Sequence, residues 1–255
     1  MRAPSTQASE GQVLDIAVIE PRRGRNEQPL PSAGLLLFTP QDVQLVLQSL
    51  PTSPEKLRKL YLAEVYRGAL HDREIVIVGP SLGAPQTAMI LEKLIALGVK
   101  DIVALGWCGS LQSHVQIGDV VLPTGAISEE GTSAHYPLGS ALPGPAPSLL
   151  KALAEALRGS DLKTHAGAVW TTDAPYRETA SKILTYQQEG VLAVEMEVSA
   201  LFTVACFRSI RLAAALIVSD DLHSLKWLHG FKDTKFHLAR EKMVGIVLRV
   251  LTAIA

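Results

Sequence analysis

Short apolar strands alternate with amphipathic helices along most of this 255-residue chain. The alternation begins with a predicted strand at 34–39 and a helix at 41–50, and it ends with a long amphipathic helix at 234–254. Helices that alternate with strands cover the faces of one sheet, because a connecting helix must cross from one strand to the next. The pattern therefore predicts a layered α/β fold with a largely parallel or mixed sheet.

Apolar periodicity and glycine or proline breaks locate the remaining elements. The predicted strands are 73–78, 101–105, 120–122, 125–127, 164–170, 191–194 and 211–218, and the predicted helices are 85–97, 148–157, 178–188 and 197–207. Residues 1–12 are predicted to be a disordered tail, and residues 20–33 a polar loop. Because no linker or internal repeat divides the remainder, residues 13–255 are expected to form one domain.

Composition excludes several classes of protein. Hydrophobic residues make up 47% of the chain and charged residues 19%, so a large core can form without disulfides or metals. A net charge of −1 argues against nucleic acid as a partner. The two cysteines and seven histidines show no metal-ligand spacing. No signal peptide and no apolar run of roughly 18 residues are present, so we expect a cytoplasmic protein without a membrane partner.

Two acidic positions follow apolar strands. Glu195-Met196-Glu197 leads from a strand into a helix, and Asp220 ends the next predicted strand. One helix and one strand separate Glu197 from Asp220, so both carboxylates are expected at the same edge of the sheet. Ligands of open α/β sheets bind outside the carboxyl ends of the strands.

A glycine-rich turn at 79–83 offers a competing interpretation. Gly79-Pro80-Ser81-Leu82-Gly83 matches the G-x-S-x-G elbow that presents the nucleophile of α/β-hydrolases. Asp220 and then His223, His229 or His237 follow in the chain order Ser–Asp–His of a serine triad. Against this, Pro80 fixes φ just before Ser81, and no His-Gly-Gly-Gly type oxyanion segment precedes it. A serine hydrolase and a turn that holds an anion through Gly79 both remain open.

Three further segments carry a family resemblance. They are Gly106-Trp107-Cys108-Gly109 with Gly118-Asp119-Val120 beyond it, Val194-Glu195-Met196-Glu197, and Ser219-Asp220. Together they resemble the nucleoside phosphorylase and nucleosidase superfamily, which includes purine nucleoside and uridine phosphorylases, from about Ile75 to the C-terminus. The resemblance implies a three-layer α/β/α fold around a central mixed, largely parallel twisted sheet.

The resemblance also implies an activity. The expected reaction is cleavage of the N-glycosidic bond of a nucleoside by phosphorolysis, which gives a sugar 1-phosphate and makes the protein a pentosyltransferase of nucleoside salvage. Phosphate would be a co-substrate, and no cofactor is expected. Members of the family associate as dimers or hexamers, so a homo-oligomer is expected here.

Site roles carry over residue by residue. Glu197 would bind the 2′ and 3′ hydroxyls, because a carboxylate offers two acceptors, and Met196 would pack under the sugar. Asp220 would protonate N7 of a departing purine, a form of general acid catalysis worth ~10²–10⁴ in rate. The candidates for base binding are Tyr176, Arg177, Trp107, Cys108 and Gly109.

The phosphate site departs from the family pattern. The loop Thr39-Pro40-Gln41-Asp42 lacks the family's glycine and arginine, Ala104 replaces a second arginine, and Trp107 replaces a serine or threonine. Gly79 and Gly106 remain as candidates for phosphate binding. The missing ligands leave three alternatives: a hydrolytic nucleosidase in which Asp42 activates water, an inactive nucleoside-binding protein, or a phosphate site rebuilt from Arg22, Arg23, Arg25, Arg58, Arg67 or Arg177.

Overall fold

The computed structural model describes residues 17–70 and 72–254, so the predicted tail at 1–12 lies outside the described residues. In chain order the elements are β1 (Ala33–Leu37), α1 (Pro40–Ser49), β2 (Glu55–Leu60), β3 (Ala63–Leu70), β4 (Arg73–Gly79), α2 (Gly83–Ala96), β5 (Asp101–Ser110), β6 (Val120–Glu129), α3 (Pro147–Arg158), β7 (Thr164–Thr172), α4 (Ala180–Gln188), β8 (Ala193–Glu195), α5 (Val198–Arg208), β9 (Arg211–Asp221), β10 (Leu228–His229) and α6 (Thr234–Ile254).

The strands form one mixed sheet that closes on itself at one end. The order is β10-β9-β6-β7-β8-β5-β1-β4-β3-β2, and β9 also pairs with β5. Strands β5, β9, β6, β7 and β8 therefore form a closed ring, while β1, β4, β3 and β2 extend from it as an open wing. The pairs β1–β4, β1–β5, β5–β9, β6–β7 and β7–β8 are parallel, and the other pairs are antiparallel.

Helices cover both faces of the sheet. Successive side chains of a strand point to opposite faces, so Leu35 and Leu36 of β1 enter different cores. Leu36 belongs to the core that α2 and α5 complete, and it shares that core with Phe202. Leu35 belongs to the core of α1, α3 and α6, which includes Val247. The predicted three-layer α/β fold with a mixed sheet is confirmed.

Several strands continue beyond their predicted ends, and the two short strands predicted at 120–122 and 125–127 are parts of the single strand β6. Two of the longer strands, β5 and β9, lead to the acidic residues. The strand predicted to stop at 105 runs through Gly106 and Gly109 to Ser110, and the strand predicted at 211–218 runs to Asp221. Gly106 reads as a strand terminator in the sequence, but it lies within β5. The residue is a glycine because nothing larger fits there. A Cβ at Gly106 would lie 2.0 Å from Cδ2 of Phe38. The longer strands carry their ends to the sheet edge that holds the acidic residues.

The sequence pattern also missed the hairpin of β2 and β3. Tyr61 and Leu62 form its turn and have φ of 48° and 78°. Turns of this left-handed kind are usually marked by glycine, asparagine or aspartate, so these two residues gave no turn signal. Within the described part of the chain, no helix is both long and apolar enough to cross a membrane.

Candidate functional site

The two acidic segments meet on either side of Gly109. In β5, Gly109 pairs with Val194 of β8 on one side and with Asp220 of β9 on the other. A Cβ at Gly109 would lie 3.0 Å from Oδ2 of Asp220 and 3.3 Å from Cγ1 of Val194. The absence of a side chain at this position therefore lets the segment that carries Glu197 approach Asp220 at one edge of the sheet.

Glu195 caps helix α5. Its Oε2 accepts hydrogen bonds from the backbone amides of Glu197 at 2.6 Å and Val198 at 2.7 Å. Its Oε1 accepts a hydrogen bond from the hydroxyl of Thr171. These amides are the unpaired donors at the start of a helix, and a carboxylate satisfies them well. Because Glu195 serves the helix start, Glu197 is left for other contacts.

Glu197 is buried beside the start of α2. Its Oε1 accepts the backbone amide of Gly83 at 2.6 Å. Burial, with a smaller contribution from the charge of Glu195, raises the pKa of Glu197 to about 8. Burial also raises the pKa of Glu195, to about 7. Met196 lies between them and is the partly exposed residue of this stretch, so its side chain is available to a ligand at the edge.

Asp220 is held from both sides. The hydroxyl of Ser219 donates to its Oδ1 at 2.6 Å, and Nε1 of Trp227 donates to its Oδ2 at 2.9 Å. Glu178 lies near Asp220. Burial raises the pKa of Glu178 to about 7, and the charge of Asp220 contributes to the shift.

Cys108 is buried near Asp220, and burial raises the pKa of its thiol well above the usual value. The cysteine therefore stays a neutral thiol at physiological pH.

Asp42 lies in a buried polar cluster with Trp107 and Arg240. Its Oδ2 accepts hydrogen bonds from Nε1 of Trp107 at 2.6 Å and the hydroxyl of Thr39 at 2.9 Å, and its Oδ1 accepts Nε of Arg240 at 2.7 Å. The guanidinium of Arg240 lies 5.1 Å from the centre of the Trp107 ring. This cluster occupies the region where sequence comparison placed the missing phosphate ligands.

Arg240 was missed by the sequence interpretation. It lies on the face of α6 that also carries Phe236, Met243 and Val247, and all four residues are buried. A charged residue at helical spacing among apolar ones is unusual, and it indicates a buried partner of opposite charge. That pattern could have identified the arginine as half of a buried ion pair, although its partner Asp42 lies 198 positions earlier in the sequence.

The candidate base-binding residues are not all brought together. Trp107, Cys108 and Gly109 lie on β5 at the site, whereas Tyr176 is 99% exposed on the short turn Pro175–Arg177. The arginines considered as replacements for the missing phosphate ligands form ion pairs with other residues or are exposed to solvent. Arg58 pairs with Glu27 and Arg67 with Glu55, while Arg22, Arg23, Arg25 and Arg177 are exposed.

Ser81 is not presented as a nucleophile elbow would present it. The residue is only 1% exposed, and its Oγ accepts a hydrogen bond from the hydroxyl of Thr87 at 3.1 Å. A nucleophile elbow holds its serine at the tip of a tight turn, exposed to the substrate. His223, one of the candidate triad histidines, pairs instead with Asp221 at 2.7 Å.

The chain is similar to known proteins in both sequence and structure. The model of the phosphorylase superfamily matches residues 32–252. A guanosine phosphorylase from Halorubrum lacusprofundi is 28% identical over 221 residues, which cover 87% of this chain and 84% of that protein. A DeoD-type purine nucleoside phosphorylase from Bacillus cereus is 27% identical over 195 residues, which cover 69% of this chain and 83% of the relative.

Solved structures share the fold. A purine nucleoside phosphorylase from Toxoplasma gondii in complex with immucillin-H superposes with a TM-score of 0.82 at 21% identity, and the match covers 91% of this chain and 98% of the other. A uridine phosphorylase from Vibrio fischeri gives a TM-score of 0.79 at 23% identity, with 87% and 92% covered.

Proposed function

Because this chain belongs to the phosphorylase superfamily, we propose that it cleaves the N-glycosidic bond of a purine-like nucleoside by phosphorolysis. The observation that carries the proposal is that the segments carrying Glu197 and Asp220 meet at one sheet edge, where Val194 and Asp220 pair with Gly109 from opposite sides. One carboxylate is buried next to a helix start, and the other ends a strand with both oxygens hydrogen-bonded. The relatives named guanosine and purine nucleoside phosphorylase support a purine-like base.

The proposed reaction transfers the sugar from the base to phosphate. The bond between C1′ and the ring nitrogen of the base breaks, and its electron pair moves into the base. Asp220 gives a proton to N7 of the base, while an oxygen of phosphate forms a bond to C1′. The products are the free base and a sugar 1-phosphate.

Glu197 is assigned to the sugar, and Met196 packs beside it. An ionised carboxylate can accept one hydroxyl of a vicinal diol on each oxygen. Positive charge develops on the sugar as the bond breaks, so a carboxylate fixed beside the sugar also stabilises the transition state. The amide of Gly83 keeps Oε1 in a fixed position before substrate arrives.

Asp42 is assigned a structural role. Both of its oxygens are already occupied by Trp107, Thr39 and Arg240, which supports positioning of the indole rather than activation of water. The backbone from Trp107 to Gly109 at the end of β5 is then assigned to the wall of the base site. Gly79 and Gly106 remain candidates for phosphate contacts through the backbone.

We further propose a homo-oligomer. A surface cavity of about 980 Å³ is lined by apolar and aromatic side chains, among them Ile19, Tyr61, Met89, Tyr136 and Phe207. Ile19 is 88% exposed in a single copy, and Tyr61, Met89 and Phe207 are 38% to 49% exposed. A second copy of this chain is the proposed occupant. Light scattering after size exclusion tests this proposal, because a monomer mass at micromolar concentration would contradict it.

We also propose that the reaction takes place in the cytoplasm, that phosphate is the co-substrate and that no cofactor is needed.

Base release from a panel of purine and pyrimidine nucleosides, with and without phosphate, tests the function. Phosphate-dependent release of purine together with sugar 1-phosphate is the expected result. The variant Asp220→Asn should lose most of this release and still fold, because it keeps the size of the side chain. Base release that does not depend on phosphate and yields free sugar would show that the reaction is hydrolysis and not phosphorolysis. No release from any nucleoside would contradict enzymatic cleavage.

A further inference from the structure

Trp227 lies on the hairpin that follows Asp220. Strand β9 ends at Asp221, and β10 returns antiparallel to it, with His229 paired to Asp220 and Leu228 to Asp221. The amide of Gly230 then donates to the carbonyl of Ser219 at 2.8 Å. The hairpin is therefore fixed in register against the strand end that carries the proposed acid.

The indole of Trp227 reaches back to the Asp220 carboxyl group. Its Nε1 donates to Oδ2 at 2.9 Å, opposite the hydroxyl of Ser219 on Oδ1. An indole N–H is a donor only and carries no charge. It can therefore fix the orientation of the carboxyl group and stabilise its ionised form without adding a cation beside the base.

The ring of Trp227 belongs to an aromatic cluster that extends along the site. We use this term for Trp227, His229, Phe231, Trp107 and Phe236, in which neighbouring ring centres are 5.0 to 6.3 Å apart. Trp227 itself is 62% exposed. Because little of the ring is buried, its removal should affect the acid that it contacts more than the stability of the fold.

We propose that Trp227 is a positioning residue that holds Asp220 in the orientation from which it protonates the departing base. The inference rests on the proposed function and deepens it. When the proton moves from Asp220 to N7, negative charge is left on the carboxylate, and hydrogen bonds to that charge strengthen. The N–H of Trp227 and the O–H of Ser219 already donate to the two oxygens of Asp220 on which this negative charge develops.

A residue that acts through Asp220 matters only for a substrate whose base must be protonated as it leaves, whereas a purely structural residue affects every substrate. A purine methylated at N7 already carries positive charge, so it departs as a neutral base when the glycosidic bond breaks and needs no proton. Such a substrate bypasses Asp220 and anything that acts through Asp220. Loss of the Trp227 N–H should therefore affect an ordinary purine nucleoside and leave its N7-methyl analogue nearly unchanged.

The experiment compares inosine with 7-methylinosine at saturating phosphate. Trp227→Phe keeps an aromatic ring and removes the N–H, and we expect kcat for inosine to fall about ten- to a hundredfold, the effect of one hydrogen bond to a charged group. KM should stay within about twofold, and kcat for 7-methylinosine should also stay within about twofold of the wild type, since positioning of the acid affects the bond-breaking step alone. Asp220→Asn should show the same pattern with a larger loss.

Leu228→Ala is the matched control, because it removes an apolar side chain, 51% exposed, from the same hairpin. It should leave both substrates unaffected. Equal losses on the two substrates with Trp227→Phe, or no loss on either, would overturn the inference while the proposed function stands. A wild-type protein that releases base from no nucleoside of the panel, these two included, would overturn the proposed function and this inference with it.

Discussion

The carboxylate of Glu197 and the backbone amide of Gly83 are joined by a hydrogen bond of 2.6 Å, although 114 positions separate them in sequence. Gly83 is the first residue of α2, where amides have no partner within the helix. The start of α2 therefore fixes the side chain that we assign to the sugar. This contact connects the glycine-rich turn after β4 to the Glu-Met-Glu segment, and it explains why both are needed at one site.

Glu197→Gln should lower kcat/KM for a ribonucleoside by about ten- to a hundredfold, because the amide replaces one acceptor by a donor and removes the charge near the developing cation. Steady-state kinetics of base release measure this effect. Glu189→Gln is the matched control, since Glu189 is exposed at the end of α4. Equal activity of the two variants would contradict the assignment of Glu197 to the sugar.

Nucleoside binding should release protons near neutral pH. The pKa of Glu197 is raised to about 8 by burial, so much of it is protonated at pH 7. Hydroxyls of a diol donate to the ionised form and lower this pKa, so binding should tighten as pH rises from 6 to 8. Calorimetric titrations in buffers of different ionisation heat measure the released protons. A 2′,3′-dideoxynucleoside should release fewer, and proton uptake on ribonucleoside binding would contradict the prediction.

Glu178→Gln should change how stability depends on pH. The pKa of Glu178 is raised from 4.5 to about 7 in the folded protein, first by burial and then by Asp220. The folded state therefore binds its proton more tightly, and the resulting stability is present below pH 4.5 and lost as pH rises through 7. The variant should have a flatter Tm profile over this range and a higher Tm than the wild type at pH 8. Profiles of Tm against pH that run parallel for the wild type and the variant would contradict this prediction.

Removal of Arg240 should destabilise the fold, because it would leave Asp42 buried without its cation. Breaking a buried ion pair from one side costs about 3–5 kcal/mol, so Arg240→Met should lower the free energy of unfolding by roughly that amount. Urea denaturation measures this change. Arg249→Met, on the exposed face of the same helix, should change it by less than about 0.5 kcal/mol. The double variant with Asp42→Asn should lose less than the sum of the two single changes.

Local signals in the sequence predicted the layered fold, which is confirmed, and they predicted that Glu197 and Asp220 lie at the same sheet edge, because one helix and one strand separate the two acids. Long-range packing could not be predicted in this way. Gly106 reads as a strand end, yet β5 continues through it, and a glycine is required there because Phe38 occupies the space beside it. Trp227 lies close to Asp220 in sequence, but only the return of β10 reveals that its indole contacts the acid. Arg240 needs Asp42, and no local pattern joins them.

The aromatic cluster gives the protein an optical signal of its own. Two of the protein's three tryptophans, Trp107 and Trp227, belong to the cluster, and the third, Trp170, is fully buried outside it. Trp227 is largely in water and should emit at longer wavelength than Trp170. A ligand that displaces water from the cluster should shift the Trp227 emission to the blue, while Trp170 serves as an internal reference. Occupancy of the site can then be followed in real time by intrinsic fluorescence, without a label.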